Sequence, residues 1–102
     1  MPLSGKQKRF LRAEAHGLEP VVMVGKEGLT ETVVEAVQAA LLSHELIKVR
    51  VLESSPIERK EVSERLPAQT KSELAGEVGR VLILYKRHPH AARLVLPRDV
   101  KT

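Results

Sequence analysis

Four consecutive apolar residues, Val21-Val22-Met23-Val24, run into a two-glycine loop, Gly25-Lys26-Glu27-Gly28, and the chain leaves that loop in a helical pattern. A strand that leads straight into a helix has few ways to fold. The helix must lie back over the sheet, and the next strand then pairs parallel to the first through a right-handed crossover. Val33, Val37, Ala40, Leu41 and His44 recur at helical spacing and predict a core-facing stripe that ends near Ser43 or His44. Thr30 fits the N-cap, with Leu29 and Val34 spaced to close a hydrophobic staple. Beyond the helix, Ile47, Val49 and Val51 alternate with Lys48 and Arg50, the period of a strand with one apolar face. The unbroken run Val21 to Val24 predicts a strand buried on both faces.

Ser4 and Gln7 have capping-box spacing and Gly17 is placed to stop a helix, so a first helix is predicted from Gly5 to about His16. Leu3, Phe10, Leu11, Ala15 and Leu18 fall on one half of it, and Lys6, Lys8, Arg9 and Arg12 on the other. Ser55-Pro56-Ile57-Glu58 repeats the capping-box spacing with proline at the first helical position, and predicts a third helix from there. Pro67 should kink that helix or end it near Leu66. Leu74 to Val78, Gly79-Arg80 and Val81 to Tyr85 read as strand, two-residue turn and strand, a hairpin. Arg93 to Leu96 are expected to add a short edge strand. The order α-β-α-β-α-β-β predicts an α/β fold, a small two-layer sandwich on a mixed, mostly parallel four-stranded sheet.

A length of 102 residues bounds one domain, residues 1–102. Hydrophobic residues make up 42% and charged residues 29%, and no apolar run approaches the ~20 residues that span a bilayer, so no membrane partner is expected. The absence of cysteine removes disulfides and thiolate metal sites, and no apolar leader follows Met1; a cytoplasmic location is expected. The net charge of +4 is unevenly spread. Lys6, Lys8, Arg9 and Arg12 precede any acid, and Arg80, Lys86, Arg87, Arg93, Arg98 and Lys101 are opposed near the C-terminus only by Asp99. Such polarity suits a nucleic-acid face.

The loop is the first candidate for that face. Glycines bring main-chain N–H groups close to an anion, Lys26 adds a charge at the tip, and the following helix adds the positive end of its dipole. Glycine loops of this size clamp nucleic-acid backbone in KH domains, although there they join two helices. The loop lacks the GK[ST] ending of a nucleotide-binding P-loop and the third glycine of a dinucleotide site, so neither cofactor nor small-molecule substrate is expected. The four basic residues of the first helix form the second candidate, since like charges without acidic partners are eased by an anion. His16 and His44 sit at helix ends and His88 and His90 flank a proline, without metal-ligand spacing. No nucleophile–base pair or poised carboxylate pair is present, so an enzyme is not expected. Phe10 and Tyr85 are both placed to pack, which leaves no aromatic platform for stacked bases.

Leu3-Ser4-Gly5-Lys6-Gln7-Lys8, Val24-Gly25-Lys26-Glu27-Gly28-Leu29-Thr30, His44-Glu45-Leu46-Ile47-Lys48-Val49, Gly79 with Val81 to Tyr85, and Leu96-Pro97-Arg98 together resemble the bacterial YhbY-type CRM (chloroplast RNA splicing and ribosome maturation) domain. The resemblance covers nearly the whole chain. It implies a fold similar to the C-terminal domain of translation initiation factor three, and an RNA-binding module that associates with precursors of the large ribosomal subunit. The implied RNA is ribosomal, 23S or its precursor. The implied RNA-contacting residues are Gly25, Lys26, Glu27 and Gly28 in the loop, and Lys6, Lys8, Arg9 and Arg12 on the first helix; Thr30, at the start of the second helix, is expected to join them. Glu27 inside the loop, Gly76 and Glu77 in the third strand, and Pro67 in the third helix depart from the family pattern. A protein-interaction module that docks on a ribosomal protein or assembly factor is the alternative.

Overall fold

The computed structural model describes residues 3–90 and 92–97. Arg98 and Lys101 of the C-terminal basic cluster, with Asp99, lie outside the described residues. In chain order the elements are α1 (Gly5–Ala15), β1 (Pro20–Val24), α2 (Glu31–His44), β2 (Leu46–Val51), α3 (Arg59–Thr70), β3 (Glu73–Val78) and β4 (Val81–Tyr85). The α/β class and the element order are those expected from the sequence.

The sheet runs β1-β2-β4-β3. Only β1 and β2 pair in parallel; β4 pairs antiparallel to both β2 and β3, which corrects the mostly parallel sheet. The crossover through α3 delivers β3 to the far edge, and the tight Gly79-Arg80 turn returns β4 into the gap beside β2. Gly79 has a φ of 58°, the left-handed conformation such turns demand.

Helices cover both faces of the sheet, so the expected two layers become three. On one face α2 and α3 enclose Val22, Val24, Ile47, Val49, Val51, Leu82 and Leu84. On the other, Leu11 and Ala15 of α1 pack on Leu46, Ala75, Ile83 and Tyr85. The alternation in β2 and β4 supplies both cores, because consecutive side chains point to opposite faces.

Several local expectations change for identifiable reasons. β1 is an edge strand, and α1 does not reach over it, so Val21 and Met23 are exposed while Val22 and Val24 are buried. Leu18, beyond the end of α1, is 41% exposed. Gly17 is not in the left-handed conformation; α1 stops with His16 as its C-cap. His44 ends α2 exposed, outside the core stripe. The Ser55 hydroxyl accepts from the Ile57 amide at 3.1 Å and donates to the Ile57 carbonyl at 2.7 Å, a local turn that postpones α3 to Arg59. Pro67 lies within α3, which continues to Thr70; only three residues of helix follow it, so few hydrogen bonds depend on the turn it disturbs. Residues 92–97 form no strand.

Candidate nucleic-acid interface

The glycine loop is built as a tight turn on a firm base. The Gly28 amide donates to the Gly25 carbonyl at 2.9 Å, which places Lys26 and Glu27 at the exposed tip. Gly28 has a φ of 73° and is buried; a Cβ there would sit 3.3 Å from Ile57 Cδ1 and 3.4 Å from Pro56 Cγ. Its glycine is therefore required by handedness and packing, and its N–H is already used. Gly25 has ordinary φ and stands over Leu52 and Ser54. The Thr30 hydroxyl accepts from the Val33 amide at 3.1 Å and caps α2, as its position in sequence predicts. The residues that remain free to meet a ligand are Lys26 and Glu27, with Lys26 the cation.

Neighbouring turns gather at the same end of the sheet. The Leu52 amide donates to the Val24 carbonyl at 2.9 Å, and the Val51 amide to the Arg80 carbonyl at 2.8 Å. The loop after β1, the segment after β2 and the β3–β4 turn therefore form one rim, with Lys26 and Arg80 exposed on it.

The second candidate surface is α1. Its capping box is complete: the Gln7 amide donates to Ser4 Oγ at 3.1 Å and the Ser4 amide to Gln7 Oε1 at 3.0 Å. Lys6, Lys8, Arg9 and Arg12 are all exposed, and the first turn holds no acid. Arg12 differs from the other three. Its stem lies across Gly76 of β3, where an added Cβ would meet Arg12 Cγ at 2.9 Å, and its Nη1 donates to the Ala75 carbonyl at 3.2 Å. Gly76 thus makes room for an arginine laid across the sheet. Lys48 Nζ reaches the His16 carbonyl at 3.4 Å, at the negative end of the α1 dipole.

Glu45 was not singled out from the sequence, yet it organises this end of the molecule. It follows α2 with a φ of 61°, is 2% exposed, and accepts from three backbone amides: His88 at 2.9 Å, Arg93 at 2.6 Å and Leu94 at 3.0 Å. One carboxylate thus does for residues 93–94 what a neighbouring strand would have done. Burial pushes its carboxyl up, but the three amides outweigh burial and leave it below the ordinary carboxylate value. Burial also raises the nearby Tyr85 hydroxyl; the Glu45 charge adds to that rise and Arg87 opposes it. So held, the segment presses Leu94 and Leu96 on the α1 core, and Gln7 Nε2 donates to the Pro97 carbonyl at 3.1 Å. Its only sequence signal was a lone acid in an apolar context between His44 and Leu46.

With the geometry in place, the relatives can be compared. The CRS1 / YhbY (CRM) domain model matches residues 3–86. The chain belongs to this family. The probable RNA-binding protein YqeI of Bacillus subtilis is 39% identical over 95 residues, spanning 93% of this chain and 99% of that protein. An RNA-binding protein of Haemophilus influenzae is 42% identical over 96 residues, with 94% of this chain and 96% of the relative covered. The solution structure of a Staphylococcus aureus hypothetical protein superposes with a TM-score of 0.79 at 37% identity, over 93% of this chain and 99% of that one. The fold is therefore shared with that protein.

Proposed function

We propose that this CRM protein is a single-domain, non-enzymatic RNA-binding protein of the cytoplasm. It would contact structured ribosomal RNA, 23S or its precursor, through the exposed tip of the glycine loop and the basic face of α1, during assembly of the large subunit. The observation that carries this reading is the exposed, acid-free row Lys6, Lys8, Arg9 and Arg12 on a helix fixed to the sheet, in a chain whose full-length relatives bear RNA-binding names. Without an aromatic platform, affinity rests on phosphate and 2′-OH contacts and falls steeply with salt. Gly28 contributes by shaping the turn and Thr30 by capping α2; Lys26 makes the contact.

The test is a titration of folded 23S ribosomal RNA at several salt concentrations. Lys26→Glu should weaken binding with an unchanged melting temperature, and Lys8→Gln/Arg12→Gln should flatten the slope of log affinity against log salt by about two. Unchanged affinity and slope in both folded variants would remove these surfaces from the interface. One observation favours the alternative, docking on a ribosomal protein or assembly factor. An open groove of about 440 Å³ runs beside edge strand β1, lined by Leu18, Val21, Leu46 and Leu94, with Glu14 and Glu19 among its polar residues. Association with ribosomal particles that survives nuclease treatment would support that reading.

A further inference from the structure

The strand registers define rows of residues that cross the sheet, and α1 covers one such row but not the next. Gly76 pairs with Ile83, Ile83 with Lys48, and Lys48 with Pro20. Arg12 lies over the first of these and the His16 carbonyl meets the Lys48 ammonium, so α1 runs along this row. One step further toward the loop rim, Val78 pairs with Val81, Val81 with Arg50, and Arg50 with Met23. No described element lies over this second row. Val78 is 64% exposed and Met23 48%, Arg50 is exposed, and only Val81 is half-buried. The Arg50 side chain makes no hydrogen bond or ion pair among the described residues, and the row contains no acid.

The row is thus a shelf about 14 Å wide, three gaps of ~4.8 Å between strands. Both long sides carry cations, although the exposed Glu27 stands beside Lys26 on the rim. The α1 ridge with Lys8 and Arg12 stands on one, and Lys26 and Arg80 project from the rim turns on the other. Two apolar side chains, Met23 and Val78, exposed at the edges of a floor that carries Arg50 fit a ligand that is both anionic and able to cover apolar surface. A ribose–phosphate backbone has those properties, because its sugars carry C–H faces between the charged groups. One exposed valine and a methionine offer no stacking partner for bases, so sugar and phosphate are the parts recognised.

We infer that the row Val78, Val81, Arg50 and Met23 is a ribose–phosphate-binding shelf. It joins the α1 ridge to the glycine loop into one RNA surface across all four strands. This rests on the RNA-binding function proposed above and adds sheet residues to it. Arg50 contacts phosphate, and Met23 and Val78 pack on sugar. Arg12, held flat by Gly76, projects its remaining guanidinium N–H groups along the edge of the shelf.

The experiment uses the full chain and folded, in vitro transcribed 23S ribosomal RNA in filter binding across a salt series, with melting temperatures measured in parallel. Arg50→Gln should flatten the log–log salt slope by about one, since one phosphate contact is removed. Met23→Glu/Val78→Glu, which places acids at both ends of the shelf, should raise the Kd at least tenfold. Should that double variant melt early, a photo-crosslinking group attached to Met23→Cys replaces it and should yield an RNA adduct. Unaltered slope and affinity in the folded variants, while Lys8→Gln/Arg12→Gln still weakens binding, would overturn the shelf and leave the RNA-binding reading standing. Failure of the unaltered protein to bind any RNA would overturn both. Shelf variants that bind RNA normally but no longer associate with nuclease-treated particles would assign the row to a protein, and also overturn it.

Discussion

On one face of the sheet, under α2 and α3, Val22, Val24, Ile47, Val49, Val51, Leu82 and Leu84 are all buried; on the other, burial under α1 stops at Leu46, Ala75, Ile83 and Tyr85. A helix is about 10 Å across with its side chains, less than the width of four strands, so a lone helix leaves part of its face open. The covering helices differ as well. α2 carries Glu31 and Glu35 and no lysine or arginine, and α3 sets Glu61 and Glu64 beside Arg59, Lys60 and Arg65, whereas α1 carries Lys6, Lys8, Arg9 and Arg12 against Glu14 alone. One face is spent on stability and the other is divided between stability and an exposed cationic surface. Substitutions of similar size should therefore differ in cost according to which face they touch.

The largest contrast lies between Leu82 and Met23. Leu82 is fully buried beneath α2 and α3, so Leu82→Ala should cost about 2–5 kcal/mol in urea unfolding, by lost transfer energy and the cavity left behind. Met23→Ala, on the open half of the other face, should change stability by no more than about 0.5 kcal/mol. Equal losses would mean that the open half is covered in solution.

Glu45 comes next, because it decides how far the α1 face is sealed. Glu45→Gln should cost about 1–3 kcal/mol, as an amide brings its own donors to a site that already holds three N–H groups. The wild-type protein has a matching pH dependence. The native carboxyl titrates below its ordinary value of 4.5, so the unfolded chain binds the proton first as pH falls. The stabilisation is complete above about pH 4.5 and is lost as pH drops through the lowered native value. Melting temperature followed from pH 6 downward should fall less steeply in Glu45→Gln than in the wild type.

These two sites also mark what the sequence made legible. Leu82 lies in the strongest strand signal of the chain, and the first two helices, the hairpin and the βα loop follow from period and caps; the Ser4–Gln7 box and the Thr30 cap form as their spacing predicts, whereas the Ser55–Glu58 box does not. Layering was hidden, because the run Val21 to Val24 reads as doubly buried when strand order is unknown, and strand order depends on where β4 inserts. Glu45 and Gly76 were hidden for a related reason. Their partners are distant in sequence, at positions 88–94 and 12, so no local pattern exposes them. Of the candidate site, its exposed members Lys26, Glu27, Lys6, Lys8, Arg9 and Arg12 keep a place on the surface, while Gly28 and Thr30 turn out to serve the turn and the cap.

A smaller effect is expected at Thr30, on the well-sealed face but at a helix end. Thr30→Ala removes the hydroxyl that accepts from Val33 and should cost about 1 kcal/mol by thermal melting. A loss much below that would show that the Glu31 carboxylate or water replaces the cap.

Gly76→Ala should leave stability nearly unchanged and still alter the open face. Alanine in a strand interior gains roughly 0.5–1 kcal/mol over glycine by restricting the unfolded chain. Against this, the new methyl group cannot coexist with the Arg12 stem, so Arg12 must lift away and give up its bond to the Ala75 carbonyl, a net loss of about 1 kcal/mol. The two terms nearly cancel in unfolding experiments. They do not cancel in RNA binding, because every charge is still present but Arg12 is no longer held beside the shelf. A weaker affinity with an unchanged melting temperature would show that arginine placement, and not net charge, sets the open face apart. An affinity equal to wild type would reduce the role of Arg12 to its charge and that of Gly76 to packing.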